Sequence, residues 1–384
     1  MALRLVQLDE TNRPALEALL VHAWRQNWGA ELARALVRWR YYDRPTGGDT
    51  WLACSEGQCV AMLDSFVRPY LLEGRRILVR EGCDWYCLPK YRPLGLGVRL
   101  MRELMAAPEP GLAVGGSDAT LAMLPRLGWT RLPDAYEFVL PVTARGLAGN
   151  VLRARWPHRE AYAKAIPEGV PLRPPRRART AAAARVVEWR PGTPPADLPA
   201  PRRQGLVQLL EPAERDWLVQ IPRDVAEPLG FQFFLGDTPV GFSLSQIEPT
   251  RAGFEGCMIY LQIAERSQAV VDWLVSETAA QLAARGAGMI RCWASSPEKV
   301  AALRRSGFGV RKGLPSYWWP KPGAPAPAQI DAACLRADDS IPLPALHGRH
   351  LETSWLPPGV SRLTQLVTRP VLAGAGELSA GGGS

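Results

Sequence analysis

Residues 83–105, CDWYCLPKYRPLGLGVRLMRELM, leave few folds open to this chain. A β-strand is expected over 79–88, followed by a short loop containing Arg92-Pro93-Leu94-Gly95-Leu96-Gly97, and then by a helix that runs to Pro108. Leu96, Leu100 and Leu104 fall on one helical face, with Met101 and Met105 beside them. Glycine lets a backbone approach a ligand where a Cβ would stand in the way. A helix N-terminus directly behind such a loop offers unpaired N–H groups and partial positive charge, which favour phosphate. The corner therefore reads as a strand–turn–helix whose backbone favours phosphate.

Around it, 3–8 alternates loosely as a first strand, and Asp9 to Pro14 has the character of a helix start. A second amphipathic stretch, 31–42, carries Leu32, Leu36, Trp39 and Tyr42; Trp39 and Tyr41 either pack on the sheet or face a cleft. Two strands about Glu56-Gly57 form a hairpin, and a turn at Glu73-Gly74 leads into the strand ending at Leu88. Beyond the first helix come a short strand at 112–115, a helix at 119–127 capped by Ser117-Asp118, and a strand at 136–142 that closes the half. The second half repeats this order more weakly. A hairpin (231–235 and 240–246) precedes a central strand (257–264), a helix (268–285), a strand (289–294) and a helix ending at Gly307-Phe308. The copies differ at the loop, where Arg266-Ser267-Gln268-Ala269-Val270-Val271 replaces the glycines.

A length of 384 residues suits two domains, and 47% hydrophobic with 22% charged residues is ordinary for a water-soluble chain. No apolar run is long enough to span a bilayer, and the N-terminal residues lack the apolar core of a secretory signal, so a cytoplasmic location and no membrane partner are expected. Seven cysteines without a C-x-x-C pair and four scattered histidines give no zinc spacing, and no metal site is expected. The net charge of +9 points to an anionic partner. Much of the excess sits in 153–185 as arginines of a connector. That segment has no recognised nucleic-acid motif and no interleaved aromatic platform, so nucleic acid is not the expected partner.

Cys87-Leu88-Pro89-Lys90-Tyr91-Arg92-Pro93-Leu94-Gly95-Leu96-Gly97 resembles the acyl-CoA-binding motif of the GNAT superfamily of N-acyltransferases, and the element order over 1–145 resembles its fold. Gly128-Trp129 stands where that family commonly has Gly-Phe. The resemblance implies an α/β (α+β) architecture of two tandem GNAT-like lobes, each a mixed, mostly antiparallel sheet flanked by helices. The catalytic lobe is 1–145, the connector 146–203, the degenerate lobe 204–320 and the Pro/Gly-rich tail 321–384. It further implies direct transfer of an acetyl or short acyl group from acetyl-CoA, or another acyl-CoA, to the primary amine of a small molecule.

The cofactor-binding residues would be Cys87, Leu88, Arg92, Leu94, Gly95, Leu96, Gly97, Val98 and Ser117. Pro93 lacks an N–H and removes one donor from the cradle. A backbone N–H at Leu88 would serve the thioester oxygen. Strand alternation puts Asp84, Tyr86 and Leu88 on one face, with Asp84 as candidate base or as a partner for a cation. Where many relatives carry an acidic Tyr, four positions before the glycine, this chain has Leu124. That departure favours an alternative in which the fold binds acyl-CoA as a sensor or scaffold.

Overall fold

The computed structural model describes residues 3–24, 30–172, 174–178, 183–193, 195, 198, 205–264, 267–322 and 330–331. The first half contains β1 (Leu3–Gln7), α1 (Arg13–Trp24), α2 (Ala30–Val37) with a π-helical turn (Arg38–Tyr42), β2 (Thr50–Ser55), β3 (Gln58–Leu72) and β4 (Arg75–Cys87). A 3-10 turn (Pro89–Leu94), α3 (Leu96–Ala106), β5 (Gly111–Val114), α4 (Asp118–Met123) and β6 (Thr130–Pro141) follow. Next come α5 (Ala144–Arg155), β7 (Ala184–Trp189), β8 (Leu206–Gln208) and α6 (Pro212–Leu218). The second half continues with β9 (Glu227–Leu235), β10 (Thr238–Thr250), β11 (Gly253–Ile263), α7 (Gln268–Ala284), β12 (Ala287–Ala294), α8 (Pro297–Arg305), β13 (Gly309–Trp319) and β14 (Ile330–Asp331).

All strands belong to one sheet, ordered β1-β2-β3-β4-β5-β13-β6-β12-β11-β10-β9-β7, with β8 and β14 attached at β3. The centre of that order was not legible in the sequence. Strand β13 of the second half lies between β5 and β6 of the first, pairing Ser316 with Val114 and Val310 with Phe138. Strand β6 in turn pairs with β12, from Met289↔Pro141 to Ala294↔Tyr136. Each half thus lends its last strand to the other. The stretch read as a connector also holds structure: β7 pairs antiparallel with β9 from Ala184↔Leu235 to Trp189↔Gly230.

Two layers of helix cover the first half. Leu96, Leu100, Met101 and Leu104 of α3 pack on Trp51, Ala53 and Val60. On the opposite face, Leu16, Leu19 and Leu20 of α1 pack on Leu52 and Met62. Trp39 packs rather than facing a cleft. Its ring stacks on Trp217 of α6 at 4.7 Å, and the two indoles bond reciprocally to each other's carbonyls at 2.9 and 2.7 Å. Beside them Arg68 joins Glu81 of its own half (2.6 Å) to Glu214 of the other (2.5 Å), all three side chains buried. Among the described residues no helix is long and apolar enough to cross a membrane.

A second buried ionic group lies under α5. Arg291 bonds Glu248 at 3.1 Å and also pairs with Glu255, which meets Arg153 at 2.7 Å. Burial pushes the Glu248 carboxyl up to about 7, because Arg291 is shared with a second carboxylate. A folded-state pKa above the unfolded value means that this contribution is complete below about pH 4.5 and is lost as the pH rises through about 7. Glu248→Gln is therefore expected to flatten the decline in stability between pH 5 and 8 by on the order of 2–3 kcal/mol. Thermal melts of both proteins across that range check it, and parallel curves would refute it.

Candidate active site

The site is organised by an irregularity in β4. Its pairing with β3 runs regularly from Leu72↔Arg75 to Asp64↔Cys83, then shifts and resumes at Met62↔Tyr86. The extra residue puts Asp84 in the left-handed region, at φ 47. That conformation is uncommon outside glycine, although aspartate tolerates it better than most residues. Such a bulge turns two successive side chains to one face and increases the local twist. Cys83 and Asp84 both turn toward α2, where the Cys83 thiol lies 3.4 Å from Asp64.

The expected role of Asp84 as a free base is corrected by these contacts. Its carboxylate accepts from Arg40 Nε at 2.8 Å and from the Tyr41 hydroxyl at 2.7 Å, Arg40 Nη2 lies 2.6 Å away as an ion pair, and its side chain is only 4% exposed. Burial, with Asp84 next, raises the Tyr41 phenol well above its ordinary value, so Tyr41 remains a donor. Asp64 alongside accepts from Arg44 (2.9 Å) and Thr50 (2.6 Å), and burial pushes its carboxyl up. Both carboxylates hold the π-helical turn against the sheet.

The parallel pairing of β4 with β5 covers only Arg80↔Gly111 and Glu81↔Leu112, whereas β4 continues six residues further beside β3. The β4–β5 ladder ends at Glu81↔Leu112, and the strands part beyond it. The Leu88 N–H does not reach this gap, because it donates to the Val60 carbonyl at 2.9 Å, and its expected role at the thioester oxygen is corrected. Strand alternation then turns the Cys87 N–H away from β3 and into the opening.

At the foot of the gap Gly95 adopts φ 69 and caps α3. Its N–H is already bonded to the Arg92 carbonyl at 3.1 Å, so it leaves the expected cradle. The Arg99 N–H is the one that reaches back to the Gly95 carbonyl, at 3.1 Å. Ahead of it the N–H groups of Leu96, Gly97 and Val98 have no acceptor within the helix. Leu94 is an exposed apolar side chain at the end of the 3-10 turn. Arg92 ties the turn back to the strand by donating from Nε to the Cys87 carbonyl at 3.1 Å. Ser117 caps its own helix, accepting from the Thr120 N–H.

Sequence reasoning missed Trp85. Its side chain lies toward α3, where a Cβ on Gly97 would come 3.1 Å from its Nε1. A side chain at 97 would crowd this indole and require it to shift, which favours glycine there.

No family model matches the sequence, and no curated protein matches it. Solved structures do. A tandem GNAT protein from the clavulanic acid biosynthesis pathway aligns over 85% of this chain and 99% of its own, with 14% identity and a TM-score of 0.52. A probable N-acyltransferase from Enterococcus faecalis V583 aligns over 83% and 72%, with 10% identity and a TM-score of 0.52. Saccharomyces cerevisiae N-myristoyltransferase with bound myristoyl-CoA aligns over 83% and 82%, with 11% identity and the same score. The chain has the tandem GNAT fold.

Within this tandem GNAT arrangement the two glycine-loop positions are not equivalent. In the second half Val271 of α7 is buried in the core, and Arg266 lies outside the described residues. Leu124 in the first half is fully buried beneath α4, where no proton can be exchanged. A phenol comes to that helix from the lent strand instead: Tyr317 of β13 contacts the Leu121 carbonyl at 3.5 Å and Arg131 at 3.2 Å.

Asp84→Asn should behave as a structural lesion, because it strips a counter-charge from Arg40, which is 1% exposed. A loss of about 3 kcal/mol in chemical denaturation is expected. An unchanged unfolding midpoint would show that the pair does not hold the turn.

Proposed function

We propose that the protein transfers an acyl group from acyl-CoA to an amine, with the chemistry in the gap between β4 and β5. The observation that supports this most is the continuity of the opening. The end of β4 beyond its ladder with β5 (84–87) leads to the first-turn N–H groups of Leu96, Gly97 and Val98, which have no acceptor within the helix, the arrangement a diphosphate with a peptide-like tail needs. The corner has room for the group, since nothing lies within 4 Å of where a Cβ on Gly95 would stand. Bound there, acyl-CoA supplies the activated thioester.

In this reading the Leu96, Gly97 and Val98 amides and the α3 dipole hold the diphosphate. The Cys87 N–H donates to the acyl oxygen as negative charge gathers on it. Tyr86 exchanges the proton. It lies on the α1 side of the sheet beside Leu88, and its hydroxyl has no hydrogen-bond partner among the described residues. The acceptor is the primary amine of a small molecule, and the acyl group is acetyl or another short chain. Buried Leu124 favours a second reading, a protein that binds acyl-CoA without turning it over.

Calorimetry with acetyl-CoA and thiol release against an amine panel test these readings. Gly97→Glu is expected to abolish binding, by crowding Trp85 and placing a carboxylate in the cradle. Tyr86→Phe is expected to lower turnover about 100-fold while leaving acetyl-CoA affinity within about twofold. Absence of acyl-CoA binding by the unaltered protein would end both readings, and binding without thiol release would select the second.

A further inference from the structure

We propose that Cys54 and Cys59 form a redox site, a dithiol that a hydroperoxide converts to a cross-strand disulfide. The inference is independent of the acyl-transfer reading and begins in the β2–β3 hairpin. Its turn residues Glu56 and Gly57 have φ 52 and 79, and Ser55 faces Gln58 as the closing pair. Two left-handed turn residues mark the tight two-residue loop, closed by a hydrogen-bonded pair. The next pair, Cys54↔Cys59, is then of the type whose backbone groups point apart. In such pairs the Cα atoms approach to about 4.5 Å, inside the range a disulfide spans.

Both side chains turn to the α1 face. Cys59 is buried among Leu16, Leu20 and Met62, while Cys54 packs at the margin of that cluster and keeps access to solvent. The Cys59 thiol donates to the Ala61 carbonyl at 3.4 Å. The neighbouring Cys59 thiol pulls the Cys54 thiol down to about 7, and Cys54 together with burial pushes that of Cys59 up. The pair is therefore asymmetric: an accessible sulfur with thiolate character stands next to a sheltered one that keeps its proton. The other described cysteines differ. Cys83, Cys257 and Cys292 are buried, and burial pushes the half-buried Cys87 thiol up.

Chemically, the Cys54 thiolate attacks the peroxide, an S–O bond forms as the O–O bond breaks, and the departing oxygen leaves protonated as water or an alcohol. The Cys59 sulfur then attacks the Cys54 sulfenic acid, forming the S–S bond. The S–O bond breaks, and hydroxide takes the Cys59 proton to leave as water. Two electrons pass from the two sulfurs to the peroxide, and a dithiol reductant reverses the change. The new bond would close β2 onto β3 one residue before Val60, whose carbonyl holds Leu88 at the end of β4.

The test uses the reduced, full-length protein exposed to hydrogen peroxide, then alkylated, digested and mapped by mass spectrometry. A Cys54–Cys59 linked peptide that has lost two hydrogens and is restored by dithiothreitol is expected. Cys54 should react about tenfold faster than Cys87. In Cys59→Ser, a dimedone adduct should collect on Cys54; should that variant fail to fold, the wild-type map decides alone. Linkage of either residue to another cysteine overturns the proposal. So does oxidation of Cys54 that ends in sulfinic acid without linkage, or equal reactivity of Cys54 and Cys87.

Discussion

The backbone hydrogen bonds that β13 makes to β5 and β6 hold the rest of this protein in place. Strand β5 is only four residues long and pairs with β4 at just two positions, so by itself it would be a weak edge. Strand β13 covers it along its length, from Ser316↔Val114 to Trp319↔Gly111. With its outer side fixed in this way, β5 can part from β4 without the sheet fraying. The gap at the candidate site therefore depends on a strand supplied from about two hundred residues further along the chain.

The bulge at Asp84 complements this from the other side of the gap. A regular strand would keep its twist and follow β5; the extra residue kinks β4 just where pairing with β5 has ended. Holding an aspartate at φ 47 costs energy, and the Arg40 ion pair with its Nε hydrogen bond, together with the bond from Tyr41, opposes that cost. The turn bearing Arg40 and Tyr41 is anchored across the molecule by the reciprocal Trp39–Trp217 bonds. Bulge, π-helical turn and α6 thus form one chain of contacts from the second half to the opening.

Most helices and hairpins were legible because their apolar spacing is local. The glycine corner, the hairpin at Glu56-Gly57, and 268–285 as a helix all follow from short-range pattern, and the last is observed as Gln268–Ala284. What escaped depends on distant partners. Nothing near Gly309 or Thr130 shows that β13 and β6 exchange places, since antiparallel pairing leaves no mark of which half supplies the neighbour. Alternation correctly put Asp84, Tyr86 and Leu88 on one face. It could not show that the Asp84 carboxylate would meet Arg40, or that the Leu88 N–H would meet Val60. For Trp85 alternation fixed only its face, opposite Asp84 and Tyr86, and not that it would lie against Gly97.

The exchange also makes the second half indispensable to the first. Removing that half would expose both flanks of β6 and the outer edge of β5, and with them unpaired N–H and C=O groups that a folded protein does not leave buried. It would also leave Glu81 and Arg68 without Glu214, and Trp39 without its stacking partner. Val271, at the position corresponding to the second glycine, is buried and packs α7 into the core. The two copies have therefore come under different physical demands. One keeps its corner open at the expense of a strained residue and a short strand, and the other fills its core and supplies the strand that makes the open corner stable.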